Sequence, residues 1–169
     1  LMPTDRTTLS SHLSRFRDGL LENTLPFWLQ NSLDVEQGGY LHCLDRRGGI
    51  IDTDKSIWVT GRFAWLLSTL YAEVEPKQEW LDAARSGIDF LIQHGFDDDG
   101  RMFFRVTREG KPLIKRRYLF SETFGCIALS AFARASGEEK YQEKAHDLFE
   151  LILNYHHTPG LLEPKVNPE

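Results

Sequence analysis

An arginine set into an apolar helix is the residue of this chain best suited to chemistry. From Ile57 to Tyr71 nearly every side chain is apolar, and Arg62 is the one charged group in the run. Burying an unpaired guanidinium costs several kcal/mol, and a nearby helix N-terminus disfavours a cation further. Something must compensate it. Two answers stay open: an ion pair with Asp52, Asp54 or Glu122, or an anion or oxyanion held in a pocket at the helix ends. They are compatible, because a paired guanidinium keeps donors to spare. Trp58 lies one turn earlier on the same helix face. With Tyr40 it can form a stacking platform for a flat-faced ring such as a sugar; core packing is the plainer role. Glu122 follows Ser121, and Ser-Glu reads as a helix start with Ser121 as cap and Glu122 suited to the dipole.

The histidines offer less. His12 and His146 sit among charged residues on amphipathic segments, which predicts solvated positions. His94 and the pair His156-His157 fall at helix ends, where a cation suits the dipole. His42-Cys43 has no metal-ligand spacing, and no Gly-rich phosphate loop or serine elbow is present. Neither a metal nor a cofactor is predicted. The run Asp97-Asp98-Asp99-Gly100 lacks the oxygen alternation and closing Glu of a calcium loop.

The elements that must carry these residues are mostly helical. Leu9, Leu13, Phe16 and Leu20 form a stripe that predicts a helix from Thr8 to Asn23; Pro26 interrupts it, and Leu25 to Leu33 makes a second short helix. Tyr40–Leu44 and Ile50–Ile51 flank Arg46-Arg47-Gly48-Gly49 as a hairpin. Asp54 stops the chain ahead of the Ile57–Tyr71 helix, which is predicted to be buried on all sides. Trp80, Ala84, Ile88 and Leu91 then mark a half-exposed helix, and Met102–Phe104 a short hairpin after the acidic turn.

The pattern then repeats at a constant offset of 61 residues: Arg62 with Thr123, Phe63 with Phe124, Leu66 with Ile127, Trp80 with Tyr141, Ala84 with Ala145, Leu91 with Ile152. The unit is a helical hairpin with one buried and one half-exposed helix. Stacked units of this kind complete one another's cores. Alternation of buried and half-buried helices predicts two concentric layers, an all-α fold of the α/α toroid type. Six hairpins need roughly 370 residues, so residues 1–169 are expected to form a single domain, the N-terminal part of a toroid, with about five of its twelve helices.

Composition excludes several classes. Lys plus Arg number 20 against 25 Asp plus Glu, a net charge of −5, with 41% apolar residues. The triplet Lys115-Arg116-Arg117 is too short for a nucleic-acid surface, and no apolar run is long enough to span a membrane. A cytoplasmic location with Cys43 and Cys126 reduced follows as the expectation.

Gly38-Gly39-Tyr40, the stretch Asp52-Thr53-Asp54-Lys55-Ser56-Ile57-Trp58-Val59-Thr60-Gly61-Arg62, and Tyr118-Leu119-Phe120-Ser121-Glu122 leading into Ala135–Tyr141 resemble the N-acylglucosamine 2-epimerase family. The likeness runs from about Phe27 onward, and Asp-Lys-x-x-Trp-x-x-Gly-Arg is its most specific part. The resemblance implies an (α/α)6 barrel and a metal-free reaction in which histidines move a proton at the carbon next to a sugar carbonyl. It implies that Arg62 holds and polarises the carbonyl end, that Trp58 walls the pocket, and that Tyr40 and Glu122 line it. The substrate would be a monosaccharide or small oligosaccharide. No position here matches the family's acid/base histidines, so residues 1–169 alone are expected to be inactive. Two rival readings remain. A six-hairpin glycosidase would need a carboxylate partner for Glu122 at roughly 5 to 9.5 Å, and a non-catalytic interaction module would bind a second copy or a complementary chain.

Overall fold

The computed structural model describes residues 6–116 and 118–162; the sequence reading of 161–169 as a loop falls for the most part outside them, as does Arg117 of the basic triplet. The chain enters on α1 (Arg6–Asp18), passes through a π-helical turn at Gly19–Thr24 and continues as α2 (Leu25–Ser32). Asp18, Thr24 and Leu25 all keep right-handed helical angles, so Pro26 does not break the helix as the sequence reading expected. The physical reason is its place. Pro26 falls in the first turn of α2, where a missing N–H costs little, and the wide turn ahead of it lets the Leu25 N–H reach the Leu20 carbonyl.

Two hairpins of helices follow: α3 (Ile57–Glu73) with α4 (Gln78–His94), and α5 (Phe120–Ser136) with α6 (Glu139–His157). The helices α3 and α5 lie side by side, with α4 packed on α3 and α6 on α5. The offset of 61 residues survives in three dimensions as a burial pattern. Thr60 and Ser121, Gly61 and Glu122, Ala64 and Gly125, Leu67 and Ala128, Ser68 and Leu129, and Leu70 and Ala131 are buried pair by pair. Small residues let the two backbones approach. A Cβ on Gly61 would sit 2.9 Å from the Phe124 carbonyl oxygen, closer than a side chain tolerates.

Neither α3 nor α5 is buried all round. Arg62 and Trp65 on α3, and Phe120, Thr123, Ile127 and Ser130 on α5, form an open stripe. The predicted all-sided burial is corrected here: an apolar composition reports that partners are wanted, not that they are supplied. The outer helices differ in the same sense. Trp80, Ala84 and Gly87 of α4 are matched by buried Tyr141, Ala145 and Leu148 of α6, yet Ile88 is 0% exposed while its repeat partner Phe149 is 48% exposed. The flank of α4 is covered by the second hairpin, whose Glu138 and Tyr141 hydroxyl accept from Arg85 at 2.6 and 3.3 Å. The flank of α6 has no such cover among the described residues.

Short strands link the helices. Strands β1 (Cys43–Leu44) and β2 (Ile50–Asp52) form the predicted hairpin. A three-stranded sheet was not legible: β3 (Lys55–Ser56), immediately before α3, pairs with β4 (Phe103–Val106), which pairs with β5 (Pro112–Lys115). Beneath it lies a buried charge cluster. The fully buried Lys55 ammonium meets Asp34 at 2.9 Å and the carbonyls of Gly38 and Arg108 at 2.6 and 2.9 Å, while Arg108 clamps both Asp34 oxygens at 2.8 Å. Every Lys55 proton has an acceptor, which is what burying an ammonium requires.

Candidate functional site

The N-terminal ends of α3 and α5 meet at an aromatic cluster. The Trp58 ring lies 5.2 Å from that of Phe120 and 5.6 Å from that of Phe124, and Tyr118 stands edge-on to Phe120 at 6.2 Å. Trp58 and Phe124 are half-buried and Phe120 is exposed, so the cluster keeps a face open to solvent. Arg62, one turn after Trp58, places its guanidinium carbon 5.9 Å from the Phe124 ring centroid. A weakly hydrated cation over aromatic rings, with donors turned to solvent, suits an oxygen-rich guest with an apolar face.

Arg62 itself is exposed, which corrects the expectation of a buried guanidinium, and of the two compensations left open the ion pair is not the one observed. Its three candidate partners are occupied elsewhere. Asp52 and Asp54 both pair with Arg105 of β4. Glu122 is 1% exposed and pairs with buried Arg101 at 2.6 Å. No carboxylate pairs with Arg62 among the described residues. The reason is angular: Gly61 faces the α3/α5 crossing, and the next residue along the helix turns to the open stripe.

Glu122 is held in a buried ion pair instead of standing open beside Arg62. Its Oε1 accepts from Arg101 and from the Met102 backbone N–H at 3.0 Å, locking the acidic turn to the start of α5. Arg101 also donates to the Arg116 and Tyr118 carbonyls at 3.2 and 3.3 Å and lies 4.8 Å from the Tyr155 ring. The pair therefore anchors the segment that delivers Tyr118 and Phe120 to the cluster. Nor does Ser121 cap the helix. The cap residue is Leu119, with no side-chain cap bond, and Ser121 is buried in the first turn. Likewise α3 is preceded by Ser56 rather than stopped at Asp54.

Tyr40 is corrected as well. It is 2% exposed, packs edge-on to Phe63 at 4.8 Å and donates its hydroxyl proton to the Ala83 carbonyl at 2.7 Å. Burial pushes its phenol far above the ordinary value. Its ring fits because Gly87 lacks a side chain; a Cβ there would lie 2.3 Å from the Tyr40 hydroxyl. Tyr40 thus belongs to the core and offers no free ring face to Trp58. The structure keeps Arg62 and Trp58 together and separates Tyr40 and Glu122 from them. It adds Phe120, Phe124 and Tyr118, which the 3.6-residue spacing of α5 and the offset to α3 could have indicated.

Among the remaining features, His42 is unexpected: it accepts the Ser56 backbone N–H at 2.8 Å. Burial, then the Arg105 charge, lower its pKa. An open groove of ≈ 690 Å³ runs between α5 and α6, lined by Ile127, Ala131, His146 and Phe149 with Trp65 at its rim. Neither Arg62 nor Trp58 lines it. Both cysteines are free, and among the described residues no helix is long and apolar enough to cross a membrane.

Comparison with known proteins bears on this geometry. Residues 39–167 match the family model for N-acylglucosamine 2-epimerase (GlcNAc 2-epimerase). The N-acylglucosamine 2-epimerase of Mus musculus is 33% identical over 172 aligned residues, covering 98% of this chain and 41% of the relative. The cellobiose 2-epimerase of Eubacterium cellulosolvens is 32% identical over 148, covering 85% and 36%. The structure of cellobiose 2-epimerase from Spirochaeta thermophila DSM 6192 superposes with a TM-score of 0.79 at 29% identity, over 90% of this chain and 38% of that one. The chain therefore spans about two fifths of the length of the relatives it matches. With the matched region taking in the α3 and α5 ends, their aromatic cluster and Arg62, this chain belongs to the N-acylglucosamine 2-epimerase family.

Proposed function

We propose that this chain supplies the N-terminal part of an (α/α)6 sugar epimerase or isomerase that moves a proton at the carbon beside the substrate carbonyl. The observation that carries the reading is Arg62: a guanidinium without a carboxylate partner among the described residues, open to solvent beside Trp58, Phe120 and Phe124. In that role Arg62 donates to the carbonyl oxygen and stabilises the negative charge that grows there when the adjacent C–H proton is removed. Fixed donors aimed at such an oxygen lower the barrier more than any ground-state contact does. Trp58 and Phe120 supply the apolar wall against which a sugar's C–H face packs.

Proton transfer needs a base of matched pKa within hydrogen-bond reach of the carbon. None of the described histidines stands in the Trp58–Arg62 cluster: His42 is engaged by Ser56, and His94 packs at a tilt against Phe90 at 4.9 Å. The chain is therefore assigned substrate binding and oxyanion stabilisation, with the base supplied from outside residues 1–169. The test is exchange of the C2 proton of N-acetylglucosamine, N-acetylmannosamine and cellobiose in deuterated water. The 169-residue chain alone is expected to give no exchange above buffer, and a longer polypeptide that includes it to give exchange abolished by Arg62→Ala. Exchange by the longer polypeptide that survives Arg62→Ala refutes the role given to Arg62.

A second reading, an interaction module, is favoured by the open α5/α6 groove. Its mixed lining, with Trp65, Ile127, Ala131 and Phe149 beside Arg134, Gln142 and His146, is suited to another helical hairpin, from a complementary chain or a second copy. The glycosidase reading has lost its named carboxylate, because Glu122 is held by Arg101.

A further inference from the structure

We infer that His42 is a positioning residue: its neutral imidazole latches the start of α3, the end bearing Trp58 and Arg62, and lets go when it is protonated. The inference rests on the reading of Trp58 and Arg62 as the sugar site, but its geometry is independent of any sugar. The Ser56 backbone N–H donates to His42 Nε2 at 2.8 Å. An imidazole nitrogen that accepts must carry a lone pair, so the ring proton sits on Nδ1. Ser56 precedes α3 and is the last residue of β3, paired with Arg105 of β4, and the imidazole accepts its amide at the point where strand turns into helix. The Ser56 carbonyl in turn accepts the Thr60 hydroxyl at 3.0 Å, tying the same residue into the turn that carries Arg62. His42 therefore sets the position of the helix end from 14 residues away.

Protonation reverses the sign of the contact. An imidazolium has two N–H donors and no acceptor, so at Ser56 a donor would face a donor. The charged groups that face the ring are Arg105 from β4, Asp52 from β2 and Asp54 from the turn into β3. Both carboxylates are already engaged by Arg105, and the positive end of α3 adds to the bias against a second cation. Burial acts in the same direction as Arg105 and outweighs the two carboxylates. Neutral His42 is thus the form the fold selects, and acid is the signal that undoes it.

The test follows the Ser56 amide by NMR hydrogen exchange in the full 169-residue chain, with the Trp58 indole signal as a reporter of the helix end. Lowering the pH from about 7.5 to about 4.5, across the histidine range, is expected to reduce Ser56 protection about tenfold, the scale of one hydrogen bond. The Trp58 signal should move with the same midpoint, below the ordinary histidine value of about 6.5. His42→Gln keeps an acceptor oxygen that does not titrate in this range, so Ser56 should stay protected and Trp58 still throughout. His42→Phe lacks an acceptor, and Ser56 should exchange fast at every pH while circular dichroism stays helical. A wild-type Ser56 indifferent to pH, or a His42→Gln protein that titrates like wild type, overturns the proposal. Should His42→Phe fail to fold, the comparison of wild type with His42→Gln decides alone. Because no sugar enters the experiment, failure here leaves the epimerase reading standing, and loss of that reading leaves the latch measurable.

Discussion

Two arginines of this chain do opposite work, and the difference is solvent. Arg62 is exposed and lacks a carboxylate partner among the described residues, so Arg62→Ala should change stability by less than about 0.5 kcal/mol, as surface substitutions do. Its effect should appear in chemistry instead: a fall of about 10²- to 10³-fold in kcat for a longer active polypeptide, the scale of one lost oxyanion donor. Arg62→Lys keeps the charge but loses the planar fork, and should recover only part. Arg101 is buried against Glu122 and two further acceptors, the Arg116 and Tyr118 carbonyls. Arg101→Ala should therefore cost about 3–5 kcal/mol by stranding a buried carboxylate, visible as a lowered urea midpoint. A loss below 1 kcal/mol, on the order of a surface ion pair, would show that the pair is not closed to water in solution.

At the scale of elements, the α3/α5 crossing and the Lys55 cluster hold the site together. Gly61→Ala would bring a methyl 2.9 Å from the Phe124 carbonyl oxygen, so the helices must separate. The expected loss is about 1–3 kcal/mol, with a shift of Trp58 fluorescence because its partner Phe124 sits on the helix displaced. Asp34→Asn removes the carboxylate that faces buried Lys55 and should cost about 3 kcal/mol. Acid tests the same cluster. Burial would raise the Asp34 pKa, but the Arg108 and Lys55 hydrogen bonds overcome it and hold the group well below the usual carboxylate range. A depressed folded-state pKa means stability fully present above the unfolded value and lost as pH falls through the folded one. His42, also depressed, follows the same sign at higher pH. Denaturant midpoints should accordingly drop first below about pH 6.5, and again below about pH 4, the unfolded values of His and Asp. In Asp34→Asn the second drop should shrink.

For the molecule as a whole, open apolar surface is the dominant fact. Leu9, Leu13 and Phe16 of α1 are exposed at one end of the sequence, and Ile127 and Phe149 at the other. Contiguous apolar surface of this kind is normally covered by a partner. Sedimentation velocity should therefore show concentration-dependent association of the 169-residue chain, and Phe149→Glu, placing a charge in the α5/α6 groove, should weaken it. A chain that stays monomeric at high concentration, wild type and variant alike, would remove the interaction reading.

Much of this architecture was legible in one dimension because helix burial is periodic. The offset of 61 residues and the alternation of Trp80 and Tyr141 or Ala84 and Ala145 follow from which side chains must leave water together, whereas the stretch at 52–62 was legible only through its resemblance to a known family. The three-stranded sheet was hidden because β3 is only two residues long and finds its partner near residue 105. Charge pairing was hidden for a similar reason. Asp34 chooses Lys55 and Arg108, Glu122 chooses Arg101, and Asp52 and Asp54 choose Arg105, each choice made by chain segments that only folding brings within a few ångströms. Sequence determined that an arginine would stand in a greasy helix. Only the tertiary structure, by pairing Asp52, Asp54 and Glu122 with other cations, decided that it would face water beside Trp58 and Phe124.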